Sequence, residues 1–172
     1  QENSKRFLLS ITKDEALFAK KSLTLNNLDN KLLIGLQAVS FPTKDYRDWP
    51  IEYFLDLCKK IIAKDPNVHF LIYGGPSVKE KKKLQFLING LKANASQFIG
   101  MSLRETAALM SKTHLYIGVD TGPTHIMSTF DIPMIVLFHC KLKSKIYGAL
   151  EHPQYFPIDH PNITNCSEKS SM

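Results

Sequence analysis

Short apolar runs alternate with amphipathic helical segments along most of this chain. Five of the runs predict β-strands, at residues 31–38, 68–73, 97–99, 115–119 and 133–138. Between the first two, apolar residues recur at helical spacing from Ile51 to Ile62, which places them on one face of a helix. Strands that alternate with single helices lie parallel and are joined by right-handed crossovers. The pattern predicts an α/β fold with a Rossmann-like, doubly wound sheet of five parallel strands.

Two helix starts carry capping-box spacing, in which a hydroxyl residue is followed three positions later by Glu. Thr12 and Glu15 predict a helix over 13–25, and Ser102 and Glu105 predict another that ends near residue 111. We divide the chain into an interdomain linker with a lead-in helix at 1–28, a Rossmann-like domain at 29–160 and a tail at 161–172. The polar composition of the tail predicts poor order.

The composition fits one globular domain or one part of a larger protein, with 172 residues that are 44% hydrophobic and 22% charged. Because the chain begins at Gln1, we expect it to follow a segment that has been removed. No apolar run approaches the ~20 residues of a membrane span. The net charge of +6 favours anionic partners. Three scattered cysteines predict neither a disulfide framework nor a zinc site, and they fit a reducing cytoplasm.

The predicted sheet brings polar loops to one edge. In doubly wound sheets, ligands lie outside the carboxyl ends of the strands. The loops at those ends are 39–49, 74–78, 100–102, 119–123 and 139–147, and every polar cluster that we single out lies in one of them. We therefore expect a ligand site where these loops converge.

Residues 116–125 place an acid, a hydroxyl and a histidine at a predicted strand-to-helix junction. Backbone N–H groups at the start of a helix suit a phosphate or another anion. Pro123 fits the first helical turn, and Gly122 permits close approach of a ligand to the backbone. An ordinary turn with an Asp or Thr cap is the alternative interpretation of Asp120-Thr121-Gly122.

Three segments, residues 41–50, 71–76 and 101–125, resemble the C-terminal half of the ADP-heptose:lipopolysaccharide heptosyltransferases of glycosyltransferase family 9. Enzymes of that family have two Rossmann-like domains facing each other across a cleft, the GT-B arrangement. The likeness runs from Leu32 to Phe138, and the last segment is its most specific part. The resemblance implies that residues 29–160 form one half of a GT-B enzyme and bind a nucleotide sugar.

The resemblance also implies donor-binding residues. Those that would contact the diphosphate are Thr43, Arg47, Thr121, Gly122 and His125, and Asp120 of the same segment would orient the loop or the donor. The planar fork of Arg47 suits a diphosphate because it donates two parallel bonds. Lys44 either assists or is merely solvated. Gly74 and Gly75 belong to the matching turn, and Met101 falls where the family places an apolar side chain near adenine.

The implied activity is transfer of a heptose from ADP-heptose to the lipopolysaccharide inner core, at the cytoplasmic surface of the inner membrane. In the family the catalytic base comes from the N-terminal domain, which this chain lacks. We therefore expect no catalytic residue here and no transfer by this chain alone. Arg47 and His125 would stabilise the leaving group. The sequence has no acidic cluster with metal-ligand spacing, which predicts a reaction without metal or cofactor.

Two segments depart from the family pattern. The family has an acid after the Gly-Gly-Pro turn that reaches sugar hydroxyls, whereas here Ser77, Val78 and Lys79 precede Glu80. The loop after the fifth strand, 139–145, is basic at Lys141, Lys143 and Lys145 and lacks the family's glycine. The sugar specificity and the role of this loop stay open at this stage.

Other classes of protein fit less well. A non-catalytic nucleotide or nucleotide-sugar binding module of doubly wound fold would share the same loops, and it is the main alternative. Asp-Thr-Gly also begins the active-site loop of aspartic proteases, but those proteins are all-β. Nucleic-acid binding is not predicted, because the basic residues are not interleaved with aromatic residues along a strand.

Overall fold

The computed structural model describes residues 6–161 as alternating helices and strands. The α-helices are α1 (Lys13–Leu25), α2 (Ile51–Lys64), α3 (Val78–Leu91), α4 (Leu103–Met110), α5 (Gly122–Met127) and α6 (Ser144–Tyr147). The strands are β1 (Leu32–Gln37), β2 (Val68–Gly74), β3 (Ala95–Ile99), β4 (Leu115–Val119), β5 (Met134–Phe138) and β6 (Tyr155–Asp159). Short 3₁₀ helices span Pro42–Arg47 and Lys92–Asn94.

All neighbouring strands in the sheet pair in parallel, in the order β3-β2-β1-β4-β5-β6. The strand order reverses between β1 and β4, where a doubly wound sheet opens a crevice for ligands. The predicted Rossmann-like parallel fold is confirmed. The predicted strand number is wrong by one, because β6 adds a sixth strand beside β5.

Two apolar cores cover the two faces of the sheet. On one face Ala19 of α1, Leu109 of α4 and Met127 of α5 are buried together. On the other face Phe54 of α2 and Leu84 of α3 are fully buried. Burial of both faces explains why the central strands are continuous apolar runs rather than alternating ones.

Local chemistry fixes the start of two helices as predicted. The Thr12 hydroxyl accepts the N–H of Glu15 at 3.3 Å, and the Glu15 carboxylate accepts the N–H of Thr12 at 2.8 Å. A second capping box of the same kind joins Ser102 and Glu105. Arg104 donates to Glu15 at 2.6 Å and thereby links α4 to α1. The lead-in helix thus packs on the sheet domain.

The edge strand β6 is mostly exposed and has Pro157 at its centre. Phe156 and Ile158 are more than half exposed. A proline is tolerated there because an edge strand has one side without a partner. Apart from residue 161, the predicted tail lies outside the described residues.

Two further sequence-based expectations meet the structure. No helix within residues 6–161 is both long and apolar enough to cross a membrane. Cys58 is buried and free.

Candidate functional site

A cleft of about 350 Å³ opens at the carboxyl ends of β1 and β4, where the strand order reverses. Three loops form its walls, those that follow β1, β2 and β4. The lining residues are Gln37, Val39, Ser40, Phe41, Lys44, Arg47, Gly75, Glu80, Asp120, Thr121, Gly122 and Pro123. The cleft is therefore at the place where a fold of this type binds ligands.

The wall after β1 is held in place by Asp48, which is buried. One of its carboxylate oxygens accepts the N–H of Ser40 at 2.7 Å, and the other lies 2.9 Å from Nζ of Lys83 on α3. The Ser40 hydroxyl in turn donates to the carbonyl of Lys44 at 2.7 Å. These bonds fix the 3₁₀ helix that carries the two basic residues of the cleft, Lys44 and Arg47.

Arg47 presents a guanidinium at the cleft. Its carbon Cζ lies 5.8 Å from the ring centroid of Tyr46. A hydrogen bond from Arg47 lowers the pKa of the Tyr46 hydroxyl. The Nε atom of Arg47 is buried and has no hydrogen-bond partner within residues 6–161. This cation thus keeps an unused donor in the cleft.

The opposite wall is the loop from β4 to α5. Thr124 donates its one hydroxyl proton to the carbonyl of Val119 at 2.6 Å, so the Tyr116 hydroxyl, 2.7 Å away, must donate to Thr124. This buried chain of bonds clamps the start of α5 to β4. A Cβ atom added at Gly122 would meet no atom of the described chain within 4 Å. The space over Gly122 is therefore open to the cleft.

His125 and Asp120 form a pair beside the cleft. Nε2 of His125 lies 3.2 Å from Oδ1 of Asp120, within ion-pair distance, although the alignment is poor for a hydrogen bond. The nearby carboxylate raises the pKa of His125, against the opposing effect of partial burial. His125 lines a much smaller pocket of about 10 Å³ with Tyr147 and Tyr155, and Asp120 borders both spaces.

The turn after β2 contributes a buried carboxylate. Oε2 of Glu80 accepts the N–H of Gly75 at 2.5 Å, and Ser77 caps α3 by accepting the N–H of Glu80 at 3.3 Å. A Cβ atom at Gly75 would lie 2.6 Å from the same Glu80 oxygen. Glycine is therefore required at residue 75 for the carboxylate to approach the backbone.

The structure brings six of the predicted site residues into the cleft: Lys44, Arg47, Gly75, Asp120, Thr121 and Gly122. Four others lie outside its lining. Thr43 is exposed on the 3₁₀ helix, Gly74 packs against Leu84, and Met101 packs at the border of the α1, α4 and α5 core. His125 faces the smaller pocket.

Sequence reasoning missed three polar residues of the cleft, namely Gln37, Ser40 and Glu80. The Ser77-to-Glu80 spacing was a detectable signal for a capped helix. Gln37 ends a predicted strand and carries no motif. Its position at the carboxyl end of a central strand was the only available signal.

Three buried polar atoms without a hydrogen bond belong to residues that line this cleft. Among the described residues, Oε1 of Gln37 and Nε of Arg47 have no hydrogen-bond partner, and Oδ1 of Asp120 has none besides its ion pair with His125. Such atoms are rare in folded proteins, and each calls for a missing partner. A ligand that supplies both donors and acceptors would satisfy all three. Within residues 6–161, no group of three or more His, Cys, Asp or Glu could hold a metal ion.

Comparison with known proteins identifies relatives. The family described as glycosyltransferase family 9 (heptosyltransferase) matches residues 2–164. The chain is 26% identical over 147 residues to the lipopolysaccharide core heptosyltransferase OpsX of Haemophilus influenzae, an alignment that covers 84% of this chain and 40% of that protein.

Solved structures share the fold. The glycosyl transferase family 9 protein of Veillonella parvula superposes with a TM-score of 0.79 at 20% identity, over 92% of this chain and 44% of that one. The ADP-heptose lps heptosyltransferase II of E. coli gives a TM-score of 0.74 at 16% identity, over 94% of this chain and 50% of that one. E. coli WaaC with ADP-2-deoxy-2-fluoro heptose gives a TM-score of 0.64 at 20% identity, over 83% of this chain and 41% of that one. This chain thus spans half or less of the length of these relatives.

Proposed function

Because the chain belongs to glycosyltransferase family 9, we propose that it is the donor-binding half of a heptosyltransferase. In this proposal it binds ADP-heptose, and the complete GT-B enzyme transfers the heptose to the lipopolysaccharide inner core. The relatives are two to two-and-a-half times as long as the matched part, which supports a second, acceptor-binding half outside this chain.

One observation carries the assignment of the nucleotide-sugar site: Arg47, with an unused hydrogen-bond donor, and Gln37, with an unused acceptor, line one cleft at the switch in strand order. A diphosphate accepts from Arg47 and Lys44, and its attached sugars supply hydroxyl donors. Arginine suits this task because its fork makes two parallel charge-assisted bonds to phosphate oxygens. The open space over Gly122 lets a phosphate approach the backbone of the β4–α5 loop.

The chemistry that follows is stabilisation of the leaving group. As the bond from the sugar to the diphosphate breaks, negative charge grows on the departing ADP. Lys44 and Arg47 face the cleft where that charge develops, and a fixed cation lowers the barrier most when the charge is greatest. His125 lies beside the cleft, and the Asp120 carboxylate raises the pKa of its imidazole.

Asp120 has a positioning role in this proposal rather than that of a catalytic base. It is buried, and its Oδ1 lies against His125. The base that deprotonates the acceptor hydroxyl then belongs to the other half of the enzyme. Met101 follows β3 at the same edge of the sheet, and we assign its thioether to the adenine side of the donor.

We further propose that the enzyme works in the cytoplasm or peripherally at the inner membrane. The acceptor would be the lipopolysaccharide core on that membrane surface. The net charge of +6 supports attraction to its phosphates.

Isothermal titration calorimetry on this chain tests the proposal. We expect ADP-heptose and ADP to bind more tightly than UDP-glucose, and to bind equally well in excess chelator. Arg47→Ala should weaken ADP binding by roughly ten- to a hundredfold, the usual effect of losing hydrogen bonds to a charged group. Arg104→Ala is the matched control, since it removes a guanidinium from the α1–α4 ion pair.

Three results would count against this function. Unchanged affinity in Arg47→Ala would remove the diphosphate assignment. A strict requirement for a divalent cation would transfer the role of Arg47 to the metal ion. Equal affinity for UDP and ADP would exclude selection of adenine by Met101.

A further inference from the structure

Gln37 is the last residue of β1, lines the cleft and is only 4% exposed. Its side-chain Nε2 donates to the carbonyl of Val39 at 2.7 Å. A carbonyl oxygen only accepts hydrogen bonds, so this contact fixes which end of the amide is nitrogen. The other end, Oε1, has no partner in the part of the chain that the structure describes.

An amide oxygen can only accept, so whatever pairs with Oε1 must be a hydrogen-bond donor. Buried polar atoms in native proteins are almost always paired, and an exception next to a ligand cleft indicates that the ligand completes it. The Nε2 atom of Gln37 already donates a hydrogen bond to the backbone of the protein. The side chain is therefore held in one orientation before any ligand arrives.

The charges around Gln37 indicate which kind of hydrogen-bond donor pairs with its Oε1. Lys44 and Arg47 line the same cleft, and their positive charge disfavours an ammonium group there. A nucleotide sugar has two kinds of neutral hydrogen-bond donor, the amino group of the base and the alcohol hydroxyls, and the hydroxyls of the ribose and of the transferred sugar are the ones next to the diphosphate. We propose that Gln37 recognises the nucleotide sugar by accepting a hydrogen bond from one of these hydroxyls, an inference that rests on the function proposed above.

The experiment compares Gln37→Met with the wild-type chain by calorimetry, using ADP and ADP-heptose as ligands. Methionine has nearly the same length and no acceptor. Gln97→Met is the matched control, because Gln97 is an exposed strand residue on β3, outside the cleft. We expect Gln37→Met to weaken binding roughly fivefold, the usual effect of losing one neutral hydrogen bond. Gln97→Met should leave both affinities unchanged.

The pattern across ligands identifies the hydroxyl. If both ADP and ADP-heptose bind more weakly to Gln37→Met, the hydroxyl is on the ribose, and 2′-deoxy-ADP or 3′-deoxy-ADP should bind the wild-type chain and the variant equally. If only ADP-heptose is affected, the hydroxyl is on the heptose. Thermal unfolding checks that the variant folds, and Gln37→Leu serves as the second variant if methionine disturbs β1.

Two outcomes overturn the inference while leaving the proposed function intact. The first is wild-type affinity of Gln37→Met and Gln37→Leu for both ligands. The second is a loss with ADP that disappears with inosine diphosphate, because the donor would then be the amino group of the base. If the wild-type chain binds neither ADP nor ADP-heptose, the proposed function fails and this inference fails with it.

Discussion

Nε2 of His125 lies 3.2 Å from Oδ1 of Asp120, so a buried acid holds the ring of a histidine whose side chain is 55% exposed. The acid begins the loop after β4, and the histidine lies one helical turn into α5. Since Asp120 also lines the cleft, the pair connects the charge state of His125 to the ligand site. His125 itself faces the smaller pocket beside it.

The first prediction concerns the protonation of His125. Its pKa should lie above the usual value of about 6.5 and should fall in Asp120→Asn, because the carboxylate that favours the imidazolium is lost. Titration by NMR measures both values. His152 is the internal control, since burial lowers its pKa and Asp120 is not among the causes. An unchanged pKa of His125 in Asp120→Asn would contradict the pairing.

The same shift sets the pH dependence of stability. A histidine whose pKa is raised by folding stabilises the folded state fully below its unfolded pKa of about 6.5. This contribution is lost as the pH rises through the folded pKa. The difference in free energy of unfolding between the wild type and Asp120→Asn should therefore be larger at pH 6 than at pH 9. Chemical denaturation at the two pH values measures it.

A second prediction separates folding from binding at Gly122. The substitution Gly122→Ala adds a methyl group where the folded chain leaves space, so the free energy of unfolding should change by no more than the ~0.5 kcal/mol typical of surface substitutions. The methyl group would occupy the path of a phosphate to the backbone, so we expect ADP affinity to fall at least tenfold. Retained affinity would show that no ligand group approaches this glycine.

The third prediction concerns the anchor of the basic loop. Asp48→Ala leaves the buried N–H of Ser40 and the Lys83 ammonium without their acceptor, so it should lower the free energy of unfolding by about 1–3 kcal/mol. It should also weaken ADP binding, because Lys44 and Arg47 lose their fixed position. Asp45→Ala is the control in the same loop, since its ion pair with Lys79 is at the surface and contributes under about 1 kcal/mol.

The fourth prediction is that this chain alone binds the donor but transfers no sugar. Holding two reactants together supplies about 7–11 kcal/mol in well-organised sites, and a chain that binds one reactant loses that contribution. The assay is transfer from ADP-heptose to heptose-free lipopolysaccharide core, with and without an added N-terminal half. Transfer by the chain alone would place the base within these residues, with Asp120 the first candidate. No transfer even with both halves would favour the non-catalytic binding module.

Elements that depend on neighbours in sequence were predicted closely. The helix α1 begins and ends where the Thr12 capping box and the apolar spacing placed it, and β4 has the predicted bounds. Both signals are local: a cap needs residues three apart, and a buried strand needs an uninterrupted apolar run. The parallel sheet and the location of the cleft at the carboxyl ends of its strands followed from the rules for doubly wound sheets, whereas the strand order itself was not predicted.

Features that depend on distant contacts were not predicted. Strand β6 has four exposed residues of five and a central proline, so neither an apolar run nor an alternating pattern marks it. The carboxylate of Glu80 reaches the cleft only because the turn folds back on α3. The unpaired Oε1 of Gln37 depends on the path of the backbone after β1, because that path places the carbonyl of Val39 next to Nε2.

The proline in β6 has a consequence for association between chains. An edge strand offers unpaired hydrogen-bond donors and acceptors to any extended chain, and burial of the exposed Phe156 and Ile158 would stabilise such pairing. Pro157 removes the N–H at the middle of that five-residue strand, so an incoming strand would lose a rung of the ladder. Pro157, which interrupts the strand pattern of β6 in the sequence, thus also protects the sheet against edge-to-edge aggregation.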